Sequence, residues 1–522
     1  MATGYVVRPN RYFDSVFLMG VNQRLARVEG VRQTAVLMAS EQNKRLLSEI
    51  GVDGADIRAA DADDLVVAVV AEDPAIVSSV LAGLDEALTT AMSVTATSDL
   101  HTLEDGLRAK PSANMALLTI PGGFVYPEAR KALEAGLDLF VFSSNVPVED
   151  ERRLKELARD RHRLVMGPDC GTSIVNGVGL GFANAVRRGT IGAIGPSGTG
   201  LQEFTCLVHH AGLGISHAIG TGSHDLSDEV GGITSLMALD KLEADPRTEV
   251  IAIIAKPAGP ATRARLVERL EACGKPVVAC VLGSTAPGSA GGKIVWAKTI
   301  DAAAEAAVRL RGNRETPAAT KPLPALPSTA QIRATWTPSQ KNMRGLFAGG
   351  TLCYQSQQIL REAGMVVHSN APLDPADLLG PYEVSRGHTL IDMGDEFHTL
   401  GRLHPMIDGS LRRQRIVAES VDPSVGILLL DFILGRNASP SPVGDVLDAV
   451  VEGQRARSKS DGRLTVIASI CGTEDDPQDL KQQEDLLRQA GVLVFHSNAR
   501  ATSFCLELLS GDEGGGDGPE GG

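Results

Sequence analysis

Residues 192–205, GAIGPSGTGLQEFT, run from an apolar stretch through a glycine-rich turn into a helical pattern. Gly195, Ser197, Gly198, Thr199 and Gly200 let the backbone approach a ligand closely, and the free N–H groups and hydroxyls at a helix start attract an anion. Phosphate binding is the chemistry this supports. No Lys follows the last glycine, as a Walker A loop requires, and the spacing is not the GxGxxG of a dinucleotide site. The same residues also suit a strand-to-helix turn that binds nothing.

Other chemistry-bearing residues are sparse. His224 and Asp225, in GSHDLSDE, adjoin on a strand-end loop and suit acid–base work, although a loop histidine is as readily a polar surface group. His209 and His210 fall inside a helical pattern, where packing or exposure accounts for them. Cys170, Cys206, Cys273, Cys280, Cys353, Cys471 and Cys505 are scattered singly. Without a CxxC pair or a Cys/His cluster they predict no metal site, and they read as buried free thiols.

A chain of 522 residues must hold these groups, enough for about three or four domains. Hydrophobic residues make up 43% and charged ones 22%, as in a globular protein. The net charge of −14 argues against a nucleic-acid or acidic-membrane partner, and 4% aromatics offer no base-stacking platform. No apolar run reaches ~18 residues, and MATGYVVRPNRYFDS lacks the regions of a signal peptide, so a cytoplasmic location is expected.

The pattern predicts a multidomain α/β protein. Residues 1–105 alternate short strands and amphipathic helices, a small α/β module of ferredoxin-like type with nothing catalytic. Residues 106–189 alternate strand and helix as in a parallel sheet, and 190–312 continue through GAIGPS, SHAIGTGS, EVIAIIAKPAG and PVVACVLGSTAPGS. Residues 313–340, with five prolines, have the composition of an extended linker; 341–510 form a last α/β unit, and the polar tail 511–522 does not fold. Ligands of open α/β sheets collect at strand carboxyl ends, where IPGG, SSNVP and GPDCGTS lie. VFSSNVP (141–147), VVHSNAP (366–372) and VFHSNAR (494–500) repeat Ser-Asn just past a strand. That echo suits capping and turns, or else sheet units that present ligand loops on the same edge.

GPDCGTSIVNGVG (167–179), the 192–205 turn, IGTGSHDLSDEVGGITSLMALDKLEADPRTEVIAII (219–254) and GSTAPGS (283–289) resemble, in order, the alpha subunit of succinyl-CoA synthetase. GLFAGG, LIDMGDEF and VGILLLDFILGRNASP resemble the carboxyl-terminal domain of its beta subunit. This fused order, behind a different amino-terminal module, is similar to the FdrA group of acyl-CoA synthetase-like proteins. The resemblance implies Rossmann-like and flavodoxin-like parallel-sheet domains. It also locates departures. In the synthetase a histidine beyond the TAP turn carries phosphate, but the stretch after Pro287 has none, and Lys256 stands near the place of the glutamate that orients it. No glycine-rich pyrophosphate loop precedes NMALLTIP, and the linker leads straight to the last unit without an ATP-grasp domain.

The resemblance further implies a second helix start facing Ser197–Gly200, for which Gly435, Arg436 and Asn437 are the candidates, with Arg436 suited to grip phosphate or carboxylate. Lys256 would neutralise phosphate charge, or stand solvated in its loop. Cys170, at a position where the superfamily motif also has Cys, reads as packing. The implied activity is reversible acyl or carbamoyl transfer to phosphate, in the manner of oxamate carbamoyltransferase, with further subunits in an oligomer. Phosphate is then a substrate, and no cofactor is required in this chain. The alternatives are an acyl-CoA synthetase using coenzyme A with a nucleotide-binding partner, and a non-catalytic anion-binding scaffold.

Overall fold

Three apolar runs, LVVAVVA at 65–71, VIAIIA at 250–255 and VGILLLDFI at 425–433, are buried almost throughout, and each lies inside a sheet. The computed structural model describes residues 2–510 apart from 10, 12, 14, 27, 41–42, 45–46, 49–50, 62–63, 86–87, 89–99, 285–293, 313–325, 381–382, 400–401 and 459–461. The turn at Pro287, the first part of the proline-rich segment and the tail at 511–522 thus lie outside the described residues. The chain divides into two units, Met1–Pro111 and Ser112–Gly522.

The first unit holds β1 (Ala2–Arg8), α1 (Ser15–Ala26), β2 (Val31–Met38), α2 (Ala55–Ala59), β3 (Leu65–Ala71) and α3 (Pro74–Ala82). β3 inserts antiparallel between β1 and β2, the split β-α-β of a ferredoxin-like fold. Leu65, Val67 and Val69 pack with Leu18, Val21 and Val77, while Val66 and Ala68 pack with Leu47, Val52 and Ile57, so both faces of β3 are covered. The unit runs on through α4 (Leu103–Ala109), started by a capping box between Thr102 and Asp105, to Pro111.

The second unit begins with β4 (Met115–Leu118), α5 (Val125–Glu134), β5 (Asp138–Val141), α6 (Val148–Asp160) and β6 (Val165–Met166), whose strands form a three-stranded parallel sheet. The hairpin of β7 (Thr172–Val175) and β8 (Val178–Gly181), expected in that domain, instead extends the next sheet. There follow β9 (Arg188–Gly195), α7 (Gly198–His210), β10 (Ile215–Gly220), α8 (Ile233–Ala244), β11 (Val250–Ala255), α9 (Pro260–Glu271), β12 (Val277–Val281), β13 (Ile294–Trp296) and α10 (Ile300–Leu310). The sheet order is β13-β12-β11-β9-β10-β7-β8, flavodoxin-like in its parallel part. The chain changes direction between β9 and β11, and the crevice at their carboxyl ends is where such sheets bind ligands.

Residues 326–340, expected to be the last part of an extended linker, are folded. Ser328 and Gln331 form a capping box on α11 (Thr329–Arg333), Ile332 is buried, and Trp336 Nε1 donates to Thr465 Oγ1 (2.9 Å). The third sheet, β15-β16-β14-β17-β18-β19, is parallel throughout. It is built from β14 (Asn342–Phe347), α12 (Gly350–Glu362), β15 (Val367–His368), β16 (His388–Asp392), α13 (Ser410–Ser420), β17 (Val425–Ile433), α14 (Gly444–Ser458), β18 (Thr465–Cys471), α15 (Leu480–Gln489), β19 (Leu493–Phe495) and α16 (Asn498–Ser510). Leu201, Phe204 and Val208 of α7, Leu352 and Leu360 of α12, Ala303 of α10 and Cys505 of α16 share one core, so the second and third sheets pack through these helices.

A buried charge cluster ties α6 to α8. Lys155, inaccessible to solvent, donates to Glu151 Oε1 (2.6 Å), the Thr221 carbonyl (2.8 Å) and Asp225 Oδ1 (2.8 Å). Asp225 also accepts the N–H groups of Thr234 (3.1 Å) and Ser235 (2.9 Å) at the start of α8. Removing one member strands the other charges in a dry interior. Asp225→Ala is therefore expected to lower the stability of the chain by about 3–5 kcal/mol, read by urea unfolding; an unchanged midpoint would contradict this role.

Candidate active site

Two helix starts meet at the centre of the second unit. Ser197 is the N-cap of α7, its side chain accepting the N–H of Gly200 (3.2 Å), which leaves the N–H groups of Gly198 and Thr199 without an intrahelical partner. At the same offset from β14, Gly349, Gly350 and Thr351 open α12. The hydroxyls of Ser197 and Thr351 hydrogen-bond to each other. A methyl group on Gly349 would lie 3.1 Å from Thr199 Cβ, and one on Gly200 would lie 3.1 Å from Thr351 Cγ2. Thr172, 1% exposed, adds a hydroxyl with no hydrogen-bond partner, 3.3 Å from where a Gly198 Cβ would stand. A buried hydroxyl left unpaired beside free helix N–H groups is the polar lining that an anion satisfies.

Charged side chains fix this arrangement. Asp431, inside β17 and fully buried, accepts the N–H groups of Ala348 (2.7 Å) and Gly349 (2.8 Å) and pairs with buried Arg412 (2.9 Å). Burial raises the Asp431 carboxyl and lowers the Arg412 guanidinium, each against the pull of the other. Asp392, at the end of β16, is held by Asn370, whose amide donates to its carbonyl (2.8 Å) and whose Oδ1 accepts its N–H (2.9 Å). Its Oδ2 fills the space that a Cβ on Gly350 would need, so only glycine fits there. Burial pushes the Asp392 carboxyl up to about 6, opposed by Lys256 and by the Gly394 N–H. Lys256, just past β11 and half-buried, is thus placed within electrostatic reach of this carboxyl across the two sheets.

The structure gathers Ser197, Gly198, Thr199, Gly200 and Lys256 here and gives the remaining candidates other partners. Gly435, Arg436 and Asn437 start no helix, since α14 begins at Gly444. The Arg436 N–H donates to the Ala183 carbonyl (3.1 Å) and Asn437 Nδ2 to the Gly181 carbonyl (2.7 Å), so this exposed turn clamps the β8 end to the third sheet. The start that faces α7 is Gly349–Thr351. His224 and Asp225 belong to the Lys155 cluster, His224 Nδ1 lying 3.3 Å from Glu151 Oε2. His209 Nδ1 accepts the Arg187 N–H (3.0 Å), which puts its proton on Nε2 toward Glu474 (3.1 Å). His209, Glu474 and Asp475 lie close enough to suggest a metal, but the Arg187 guanidinium pairs with Glu474 (2.9 Å) and His209 has no lone pair left to offer. Burial pushes the Cys170 thiol up to about 12, which suits packing and not attack.

Gly349–Thr351, Asp392, Asp431 and Arg412 of this centre were not evident from sequence. One signal was present: IGPSGT at 194–199 and LFAGGT at 346–351 place Gly-Thr at the same offset from an apolar strand.

A flavodoxin-like sheet and a second parallel sheet, joined through facing helix starts, define an acyl-CoA synthetase-like protein. The chain belongs to the FdrA-like family of these proteins, together with YahF of Escherichia coli (strain K12), to which it is 38% identical over 512 residues, 98% of this chain and 99% of that one. Family models match for a CoA binding domain at 187–283, a CoA-ligase at 346–506 and an "AllF, heavy metal-associated domain" at 1–102. The succinate–CoA ligase [ADP-forming] alpha subunit of Methanothermobacter thermautotrophicus is 30% identical over 193 residues, 36% of this chain and 64% of that subunit. Among solved structures, the dinucleotide forming acetyl-coenzyme A synthetase 1 of Ca. Korarchaeum cryptofilum aligns at 17% identity and a TM-score of 0.34, over 80% of this chain and 88% of that one. No helix among the described residues is long and apolar enough to cross a membrane.

A heavy-metal ion and coenzyme A, the groups these matches name, ask for particular donors. The first unit contains no Cys and a single His, His101, and so lacks the set of soft and borderline donors that holds a heavy-metal ion. For coenzyme A, the described residues ahead of β4 form α4 and not a strand with a glycine-rich turn, whereas the matched segment 187–283 contains the glycine-rich helix start at Ser197–Gly200.

The raised Asp392 carboxyl has a consequence for stability. Its folded value lies above the ordinary 3.8, so protonation favours the native state. Relative to Asp392→Asn, the wild type is expected to gain roughly 3 kcal/mol as pH falls from above 6 toward 3.8. Parallel unfolding curves for the two proteins across that window would contradict the assignment.

Proposed function

We propose that the facing helix starts bind phosphate and that the chain, assembled with further subunits, transfers an acyl or carbamoyl group reversibly to that phosphate. The best-fitting form is oxalurate plus phosphate giving oxamate plus carbamoyl phosphate. The observation that carries this is the donor cradle of Ser197–Gly200 and Gly349–Thr351 around the unpaired Thr172 hydroxyl. In this reading a phosphate oxygen attacks the carbonyl carbon, the helix N–H groups and Thr199 hold the charge on the phosphate, and Lys256 neutralises part of it. Phosphorolysis of this kind consumes neither ATP nor coenzyme A.

A second reading is an acid–thiol ligase acting with a nucleotide-binding partner. It is favoured by the CoA-binding and CoA-ligase models and by the succinate–CoA ligase relatives. Calorimetry with free coenzyme A separates the two: millimolar or weaker binding is expected from the transfer reading, and a micromolar dissociation constant would put the ligase reading first. The ligase reading also calls for a phosphorylated histidine after incubation with ATP or acyl phosphate, whereas intact mass under alkaline conditions is expected to show no gain.

Thr199→Val keeps size and β-branching while removing one hydroxyl. Turnover of the assembled complex with oxalurate and phosphate is expected to fall by roughly tenfold to a thousandfold, with the melting temperature little changed. Normal turnover in this variant would make the turn architectural. Phosphate binding by a wild-type complex that never turns over would make the protein an anion-binding scaffold.

A further inference from the structure

In the core shared by α7, α10, α12 and α16, each helix brings a polar group to one place. Glu203 of α7 is 2% exposed; its Oε1 accepts the Asn498 N–H at the start of α16 (2.8 Å), and its Oε2 has no hydrogen-bond partner among the described residues. Asp301 of α10, largely buried, accepts the Ser497 hydroxyl at Oδ1, and its Oδ2 is likewise without a hydrogen bond. Two successive residues, Ser497 and Asn498, thus hold the two carboxyls side by side. Gln355 of α12, inaccessible to solvent, spends its Oε1 on the Ile300 N–H (2.8 Å) next to Asp301 and leaves its Nε2 without a partner. Arg500 of α16 stands 3.9 Å from Asp301 Oδ1 and 3.7 Å from Glu305 of α10.

Two neighbouring carboxyls in a dry interior do not ionise together. Burial pushes Asp301 up, but the Ser497 hydroxyl and Arg500 draw it back, so it is the better anion. Burial and the Asp301 charge push the Glu203 carboxyl well above its ordinary value, and Asp431 of β17 adds to this, so Glu203 keeps the proton. The thiols that face the pair, Cys206, Cys280 and Cys471, are themselves pushed up and stay neutral. Glu203 lies three residues past Gly200 on α7, roughly 5 Å along the helix axis, so a charge there acts on an anion at the helix start through dry protein. We propose that the Glu203–Asp301 pair is a proton switch on the phosphate cradle: while Glu203 holds its proton the α7 start attracts a dianion, and loss of that proton sets a negative charge on the same helix and weakens binding. The proposal rests on the phosphate reading above and names the regulation of that site. The proton exchanges with solvent through a cavity of about 380 Å³ that Asp301 lines with Thr299, Phe495, Arg500 and Phe504. Because the Glu203 carboxyl is raised, binding is strong at lower pH and is lost as pH rises through its value.

The test is calorimetric titration of the full chain with sulfate, a dianion of phosphate's shape whose own charge stays constant, from about pH 6 to about pH 9. Wild-type affinity is expected to fall as pH rises. Glu203→Gln keeps an oxygen for the Asn498 N–H and is expected to match the wild type at the acid end and to bind about tenfold tighter at the alkaline end. Asp392 titrates at the cradle in both proteins alike, so the difference between them belongs to Glu203. Asp301→Asn removes the charge that keeps the proton on Glu203, so the fall in affinity is expected to move to lower pH. Superimposable affinity curves for the wild type and Glu203→Gln, or a fall in Asp301→Asn that stays in place or moves to higher pH, overturns the switch; should Glu203→Gln not fold, the displacement in Asp301→Asn decides alone. Failure of the wild type to bind either sulfate or inorganic phosphate anywhere in the range overturns the phosphate reading itself, an outcome distinct from binding without the switch.

Discussion

Two helices that point their amino termini at one another set the terms for the rest of the second unit. Each end carries about half a positive charge in its unpaired N–H groups, and like ends repel most where water is excluded. The chain answers with carboxylates inside the protein. Asp431 takes two N–H groups of the α12 turn and is itself neutralised by Arg412, so its share of the work is geometric. Asp392 sits against the same helix start without a buried arginine, pulled up by burial and down by Lys256. Lys256 pulls on this carboxyl from one side, and Asp395 and Asp431 oppose it. The phosphate proposed for this place would meet both helix ends at once.

The meeting depends on how the second and third sheets are joined. In the resemblance that the motifs carry, the two helix starts derive from domains of separate subunits; here both lie on one chain, in a single core shared by α7, α10, α12 and α16. Close approach then becomes a packing requirement. Gly350 has no room for a Cβ because Asp392 occupies that space, and the turn it permits is what Asp431 holds from the other side. The 435–437 turn serves the same joint at a distance, through backbone bonds to Gly181 and Ala183.

What could be read from sequence follows from where the physical constraint is local. The 192–205 turn was legible because close approach and N-capping demand Gly and Ser at fixed offsets, and Ser197 caps α7 as that pattern requires. The domain order was legible for the same reason, through apolar runs separated by amphipathic helices. The second helix start was not, because Gly349 has no side chain to cap with and its support, Asp431, lies 82 residues further along the chain. Arg436 drew attention by its chemistry, although nothing in ILGRNASP says that ten residues separate Ile433 from the next helix at Gly444. Proline content misrepresented 326–340, where the Ser328–Gln331 capping box and the Trp336 anchor outweigh it. The Ser-Asn echo joins both of its readings at Asn370, which is structural in its bonds and functional in what it positions, the Asp392 backbone.

The departure at the phosphohistidine position also acquires a physical sense. A histidine that carries phosphate must turn an unprotonated nitrogen toward the phosphorus. His404 does the reverse: its Nδ1 lone pair is spent on the Met406 N–H, which leaves the proton of the neutral ring on Nε2. The ring is therefore not arranged to attack phosphorus. Asp392 stands at the same helix start, with one oxygen against Gly350 and the other accepting the Gly394 N–H, and a carboxyl pushed up to about 6 exchanges protons readily near neutrality.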